Sequence, residues 1–283
     1  MISAENLFFT YPKTSPLFES FSFRIKAGGI YGLLGLNGAG KTTLMRLMAG
    51  LLFPQSGNCN FMGKPSSERH PVQLAECYLV PEQFSLPDLS ITGYLRLVAP
   101  FYPKFDEAFF EEAISLWGLD RNQQLSQLSF GQHKKMLLAF AFALNTKLLL
   151  LDEPTNGLDI PGKSQFRKLL AGLDTSERCI LISTHQVRDV GQQLDHLLVL
   201  KNGSMVVSDS LANLSSNWHC TVLQESERDR AVYAEKQLGG YRAVVPAASD
   251  TAPETEFDLE LFFNAAIHEP AAFSTTLYAK STV

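Results

Sequence analysis

Cysteine is scarce. Four residues, Cys59, Cys77, Cys179 and Cys220, are spread over 283 positions. No pair has the close spacing of a zinc or redox motif, and four are too few for a disulfide scaffold, so a reducing cytoplasm fits better than secretion. Long apolar runs are also lacking. The longest, Met136 to Leu144, is stopped by Asn145 well short of the roughly 18 residues of a membrane span. The N-terminus opens MISAENLFF, with no basic region ahead of an apolar one, so no signal peptide is expected. There is no basic excess: 24 Lys+Arg against 29 Asp+Glu give a net charge of −5, and with it no electrostatic ground for a nucleic-acid partner. No internal repeat is found. What is plentiful is apolar residues, 45% against 19% charged, enough to bury a core and to exclude global disorder or a collagen-like chain.

The charge is uneven along the chain. Residues 1–208 carry 19 basic and 18 acidic side chains, and residues 209–283 carry 5 and 11, which marks a boundary near 209. Phe21, Phe23 and Ile25 alternate with polar residues as a half-buried strand, and Ala27-Gly28-Gly29 makes a turn. The apolar run Ile30 to Leu34 then leads into a glycine-rich loop and a helical stretch, Lys41 to Leu51, the start of an α/β unit. From about 88 to 143 the period turns helical. Asp106 can cap a helix with Phe109, Phe110, Ala113, Ile114 and Trp117 on its apolar face and Gly118 at its end. The aromatics of this insertion, Phe101 and Phe105 among them, read as core. Leu148 to Leu151 and Cys179 to Ile182 are continuous apolar runs, as in strands buried on both faces of a parallel sheet. His196 to Leu200 and Ser204 to Val207 flank Lys201-Asn202-Gly203, a hairpin signal. In the tail, Thr221 to Leu223 and Ala243 to Val245 read as strands, Arg230 to Leu238 and Asp258 to Ile267 as helices, and Ser249 to Glu256 as a polar connector.

Gly35-Leu36-Asn37-Gly38-Ala39-Gly40-Lys41-Thr42 fits G-x-x-x-x-G-K-[ST] between a strand and a helix, the setting that motif requires. Glycines let successive backbone N–H groups turn toward phosphate oxygens, and the helix N-terminus adds partial positive charge. Lys41 is placed to reach the β and γ phosphates of ATP and Thr42 to hold Mg²⁺. Gly35, Asn37, Gly38, Ala39, Gly40 and Thr43 complete the predicted nucleotide cradle. Such a loop needs a carboxylate for the metal and a group that positions water. Asp152 and Glu153, at the end of the run Leu148 to Leu151, supply the two in that order. Three more segments follow in sequence: Leu128-Ser129-Phe130-Gly131-Gln132, Gly157-Leu158-Asp159 and Ser183-Thr184-His185.

In this order the motifs over residues 1–210 resemble the ATP-binding subunit of an ABC transporter. The resemblance implies a P-loop NTPase with a RecA-like α/β core, an antiparallel β subdomain, the helical insertion at about 88–143 and a small acidic extension over 211–283. It implies that Leu128 to Gln132 is the signature loop, with Ser129 and Gly131, and Gln132 beside them, meeting the γ phosphate of ATP held by a second copy. Asp159 then belongs to a loop crossing the dimer interface, His185 contacts the γ phosphate, and Tyr11 stacks on adenine. The family most often has Gly where Phe130 stands. It also has a Gln that links magnesium to the membrane subunit. By register Glu82 takes that place, with Gln83 next to it, and either oxygen can serve as a ligand.

The expected protein is a Mg²⁺-dependent ATPase on the cytoplasmic face of the cell membrane. It would pair as a homodimer and work with transmembrane permease subunits on separate chains, with no nucleic-acid partner. The alternative is a soluble ABC ATPase acting on nucleic acid or ribosomes, which the single ATPase unit and the absence of a basic excess disfavour.

Overall fold

The structure is a computed structural model that describes residues 1–247 and 257–273. The connector expected at Ser249 to Glu256 lies outside the described residues. In chain order the first elements are β1 (Ile2–Phe9), β2 (Phe18–Ile25), β3 (Ile30–Leu34), α1 (Lys41–Met48), β4 (Ser56–Phe61), β5 (Lys64–Pro65), α2 (Pro71–Leu74) and β6 (Cys77–Val80). Then come α3 (Ile91–Val98), α4 (Glu107–Leu116), α5 (Phe130–Ala143), β7 (Leu148–Asp152), α6 (Ile160–Ala171) and β8 (Cys179–Thr184). The last are β9 (His196–Lys201), β10 (Ser204–Ser210), α7 (Leu211–Asn217), β11 (Trp218–Leu223), β12 (Tyr233–Gln237), β13 (Gly240–Pro246), α8 (Leu259–His268) and α9 (Pro270–Phe273).

Two compact units divide these elements. The first holds Met1–Ile30 and Lys41–Thr184. In it β1 pairs antiparallel with β2 and β4, and β4 with β5, giving the antiparallel subdomain. Strands β6, β7 and β8 pair in parallel, Val80 with Leu151 and Leu151 with Ile182. Every residue of β7 and β8 is buried. That burial is why both read as unbroken apolar runs, each large side chain contributing about 1.5–3 kcal/mol. Helix α1 ends at Met48, three residues earlier than its sequence pattern indicates. Gly50, at φ 65°, breaks the turn, and the Leu51 N–H closes it onto the Arg46 carbonyl at 2.8 Å. The stretch 88–143 holds α3, α4 and α5. Asp106 caps α4, accepting from the Phe109 N–H at 2.9 Å, and Phe110, Ala113 and Ile114 are buried, with Trp117 at its C-cap. Phe101 departs from the core reading: it is 71% exposed, because it lies in a short 3₁₀ turn after α3 rather than on a core-facing helix stripe.

The second unit gathers Tyr31–Gly40 with the described residues from His185 onward. Within it β3 pairs in parallel with β9, and β9 with β10 in a hairpin whose tip residues, Asn202 and Gly203, both have positive φ, 46° and 72°. A sheet of order β11-β13-β12 follows, with α8 packed on β13 and capped by Asp258. The helix expected over Arg230 to Leu238 does not form: Tyr233–Gln237 is a strand paired with β13. The segment is rich in helix formers. Gly239 and Gly240, at φ 89° and 149°, turn it back onto β13, and that cross-strand pairing outweighs local preference.

Candidate nucleotide site

The loop over residues 35–40 runs from β3 into α1. The Ala39 N–H donates to the Leu36 carbonyl at 3.1 Å, and Gly38 and Gly40 take φ values of 80° and 107° that other residues avoid. Gly35 and Ala39 are buried, while Asn37 and Gly38 face solvent. The loop delivers the chain to Lys41, the first residue of α1, where the helix leaves N–H groups without intrahelical acceptors.

Lys41 is only 7% exposed. Burial draws its pKa below the usual lysine value, and the charges of Glu153, Asp152 and Glu82 oppose that shift. The same three carboxylates also act on the buried Lys134 ammonium. Beside Lys41 the Thr42 hydroxyl donates to Asp152 Oδ2 at 2.7 Å, and the Ser183 hydroxyl donates to Oδ1 of the same carboxylate at 2.5 Å. Asp152 is the last residue of β7 and is buried, so both of its oxygens are fixed by strand-end and helix-start hydroxyls. Glu153 follows in the left-handed region at φ 45°, a conformation that costs a non-glycine residue about 1–3 kcal/mol. It is held there by its own N–H, which is directed at the Ser183 carbonyl at 3.1 Å and the Ser183 hydroxyl at 3.2 Å.

Glu82 and Gln83 separate clearly. Glu82 is half-buried and its Oε1 accepts from Asn156 Nδ2 at 3.2 Å, which ties it to the turn after Glu153; Gln83 is exposed. Lys134, fully buried on α5, donates to the carbonyls of Pro81 at 3.2 Å and Glu82 at 3.4 Å. Tyr11 is partly exposed, packs edge-on to Phe9, and shares a 3.0 Å hydrogen bond between its hydroxyl and Thr43 Oγ1.

A second group forms around the start of α5. Ser129 caps the helix in a reciprocal box: the Gln132 N–H donates to its hydroxyl, and its own N–H donates to Gln132 Oε1 at 2.9 Å. Gly131 lies against the Gly157 carbonyl, where a Cβ would come within 2.9 Å. Asp159 caps α6 through the Gly162 N–H and pairs with Lys135 at 3.0 Å, whose hydrogen bond holds the carboxyl below the usual aspartate range. His185 follows the end of β8, exposed, with Gln186 Nε2 3.5 Å from its Nε2.

The family description "ABC transporter" matches residues 18–156. The energy-coupling factor transporter ATP-binding protein EcfA of Methanocaldococcus jannaschii is 32% identical over 218 residues, which cover 73% of this chain and 77% of that protein. The chain belongs to the ABC transporter ATP-binding family. The Nod factor export ATP-binding protein I of Cupriavidus metallidurans is 28% identical over 94% of this chain and 86% of its own length. A solved ATP-binding subunit of an ABC transporter superposes with a TM-score of 0.67 at 25% identity, covering 76% of this chain and 91% of that one. The protein is thus an ATP-binding subunit of an ABC transporter, with the P-loop NTPase fold, and it is an ATPase. Among its described residues no helix is long and apolar enough to cross a membrane.

Three residues of this site carry no motif of their own. Ser183 sits in the Ser-Thr-His segment but only the histidine stands out there. Asn156 is an ordinary turn residue until its amide meets Glu82. Lys134 had a visible signal, a cation four residues into a helix that is otherwise apolar from Met136 onward, but nothing in the spacing says what it touches.

Proposed function

We propose that this ATP-binding subunit hydrolyses ATP in a Mg²⁺-dependent reaction and drives transport through membrane subunits on other chains. The observation that carries the reading is the Asp152 carboxylate clamped between Thr42 and Ser183, with Glu153 held next to it in a strained backbone conformation. Among the described residues no three His, Cys, Asp or Glu side chains gather into a metal cage. Mg²⁺ does not need one, since it is bound through one or two carboxylates together with phosphate oxygens. The hard oxygens of Thr42, Asp152 and Glu82 fit that requirement. Mg²⁺ bound there would supply charge neutralisation on the phosphates.

Lys41 and the N–H groups of the 35–40 loop bind the phosphates, with Thr43 beside them, and Tyr11 offers a ring face to adenine. Glu153 accepts a proton from the attacking water, and His185 contacts the γ phosphate. Ser129, Gly131, Gln132 and Asp159 serve the site of a second copy, in a homodimer that closes over two ATP molecules. ATP shifts the pair toward closure because those contacts exist only in the closed form. The same assignment makes residues 1–210 the ATP-binding domain and 211–283 an appended acidic extension, and it places the protein on the inner face of the membrane. A groove of about 450 Å³ lined by Leu51, Arg69, Leu74, Tyr78, Phe101 and Tyr102 supports a docking role toward a permease. Its rim carries exposed apolar side chains, Leu51 and Phe101.

Glu153→Gln tests the reading. The variant keeps the side chain's size and removes the carboxylate, so ATP should bind with near wild-type affinity while turnover falls by about 10²–10⁴. Accumulation of an ATP-bound dimer on a sizing column is the second expected result. Wild-type turnover in the variant would show that Glu153 is not the base.

A further inference from the structure

Phe130 is a large ring on the first turn of α5, where the resembled family most often has Gly. It is 50% exposed, yet it is not loose. Its ring lies flat on Phe84, with centroids 5.4 Å apart and planes 12° from parallel. Its edge presses on Gly157, where a Cβ would fall 2.7 Å from Phe130 Cε1, and Gly157 has φ 82°. One turn on, Lys134 donates to the Pro81 and Glu82 carbonyls and lies 5.5 Å from the centre of the Phe84 ring, while His133 meets the same ring edge-on at 6.3 Å. Asn156, next to Gly157, holds the Glu82 carboxylate. The segment 81–84 is therefore gripped from α5 through backbone and ring, and from the turn after Glu153 through its side chain.

We propose that Phe130 is a positioning residue: stacked on Phe84 and wedged against Gly157, it fixes the placement of Glu82 and so sets how tightly the site holds a divalent cation with nucleotide. The inference rests on the assignment of Glu82 as a metal ligand made above. The physical ground is that Glu82 lies on a segment with no helix or strand of its own, so its position is set by what packs on it. The 130 ring is the only one stacked flat on Phe84 among the described residues. A small residue at 130 would remove that plate and the contact with Gly157 together, and loosen both turns that place the carboxylate. Replacing a group that orients a metal ligand from behind commonly costs about 10–100-fold in metal affinity.

The test uses the full chain with a non-hydrolysable ATP analogue and Mn²⁺ followed by its paramagnetic signal, alongside hydrogen exchange of residues 82–86 in the nucleotide-free protein. Phe130→Gly should raise the Mn²⁺ dissociation constant by about tenfold, at the low end of effects from removing a group behind a ligand. It should also speed exchange at 82–86 and leave affinity for the analogue without metal unchanged. Phe130→Tyr, which keeps the stack, should restore both. Phe84→Leu combined with Phe130→Gly should lose less than the sum of the two single variants, because both break the shared Phe84–Phe130 stack. Glu82→Ala is the reference. If Glu82→Ala weakens Mn²⁺ and Phe130→Gly changes neither Mn²⁺ binding nor exchange, the positioning role is wrong and the ligand assignment stands. Additive losses in the double variant would equally overturn it. If Glu82→Ala leaves Mn²⁺ binding intact, the ligand assignment fails and the proposal falls with it.

Discussion

The Ser183 hydroxyl donates to Asp152 Oδ1 at 2.5 Å, so the carboxylate at the end of one buried strand is held by a side chain from the end of its parallel neighbour. The Ser183 hydroxyl oxygen also accepts from the Glu153 N–H at 3.2 Å. A single hydroxyl thus serves Asp152 through its proton and Glu153 through its lone pair. Ser183→Ala would leave a buried carboxylate oxygen without its donor, a loss of about 1–3 kcal/mol in stability. Turnover should fall by about 10–100-fold with ATP affinity little changed. Denaturant midpoints and steady-state kinetics check the two effects. Full turnover in the alanine variant would show that Thr42 alone suffices to orient Asp152.

Tyr11 was readable as a stacking ring, but its hydroxyl also bonds Thr43 at 3.0 Å. Tyr11→Ala should weaken ATP binding by about 1–2 kcal/mol through loss of the ring face. Tyr11→Phe loses only a solvent-near hydrogen bond, about 0.5 kcal/mol and at the low end for such bonds. Calorimetric titration with nucleotide distinguishes them. Equal losses in both variants would mean that the hydroxyl, through Thr43, matters more than stacking.

Lys134 makes stability depend on pH in a defined window. Burial pushes its pKa down to about 8 from an ordinary 10.5. Below 8 the amine is charged in both the folded and unfolded chain, and its burial penalty is fully present. Between 8 and 10.5 the unfolded chain binds more protons at this residue than the folded one, so the penalty shrinks as pH rises. Buried thiols, such as Cys59 and Cys77 at about 12, work in the opposite direction above pH 9. The useful quantity is therefore the difference between wild type and Lys134→Met, in which the thiols cancel. In urea unfolding that difference should move in favour of the wild type from pH 8 to 10. A flat difference would mean that Lys134 titrates at its ordinary value.

Phe101, exposed at the rim of the groove beside Tyr102, is the side chain most suited to report on docking. Phe101→Asp puts a charge where an apolar contact is proposed and removes no core packing. Co-purification with a polytopic chain should drop sharply while the melting temperature holds. Undiminished recovery of the membrane protein would place the docking surface elsewhere.

Much of this protein was determined by the sequence alone, and the reasons are local. Glycines at 35, 38 and 40 before Lys41-Thr42 specify a phosphate-binding turn, because backbone conformation and the start of a helix follow from neighbours in the chain. The apolar runs Leu148 to Leu151 and Cys179 to Ile182 announce buried parallel strands, each followed by polar residues. The cap at Asp106 and the Asn202-Gly203 hairpin were equally legible. What only the tertiary structure decided depends on groups far apart in the chain. Glu82 is tied to the turn after Glu153 because Asn156 reaches it across 74 positions, while Gln83 is exposed. Lys134 is buried because the 81–84 segment supplies carbonyls and a ring for its ammonium. Residues 233–237 are a strand because β13 is there to pair with, although their own preferences are helical. Phe130, a departure from the family pattern when read in sequence, has a partner only in space: Phe84, 46 positions earlier, on which its ring lies flat at 5.4 Å.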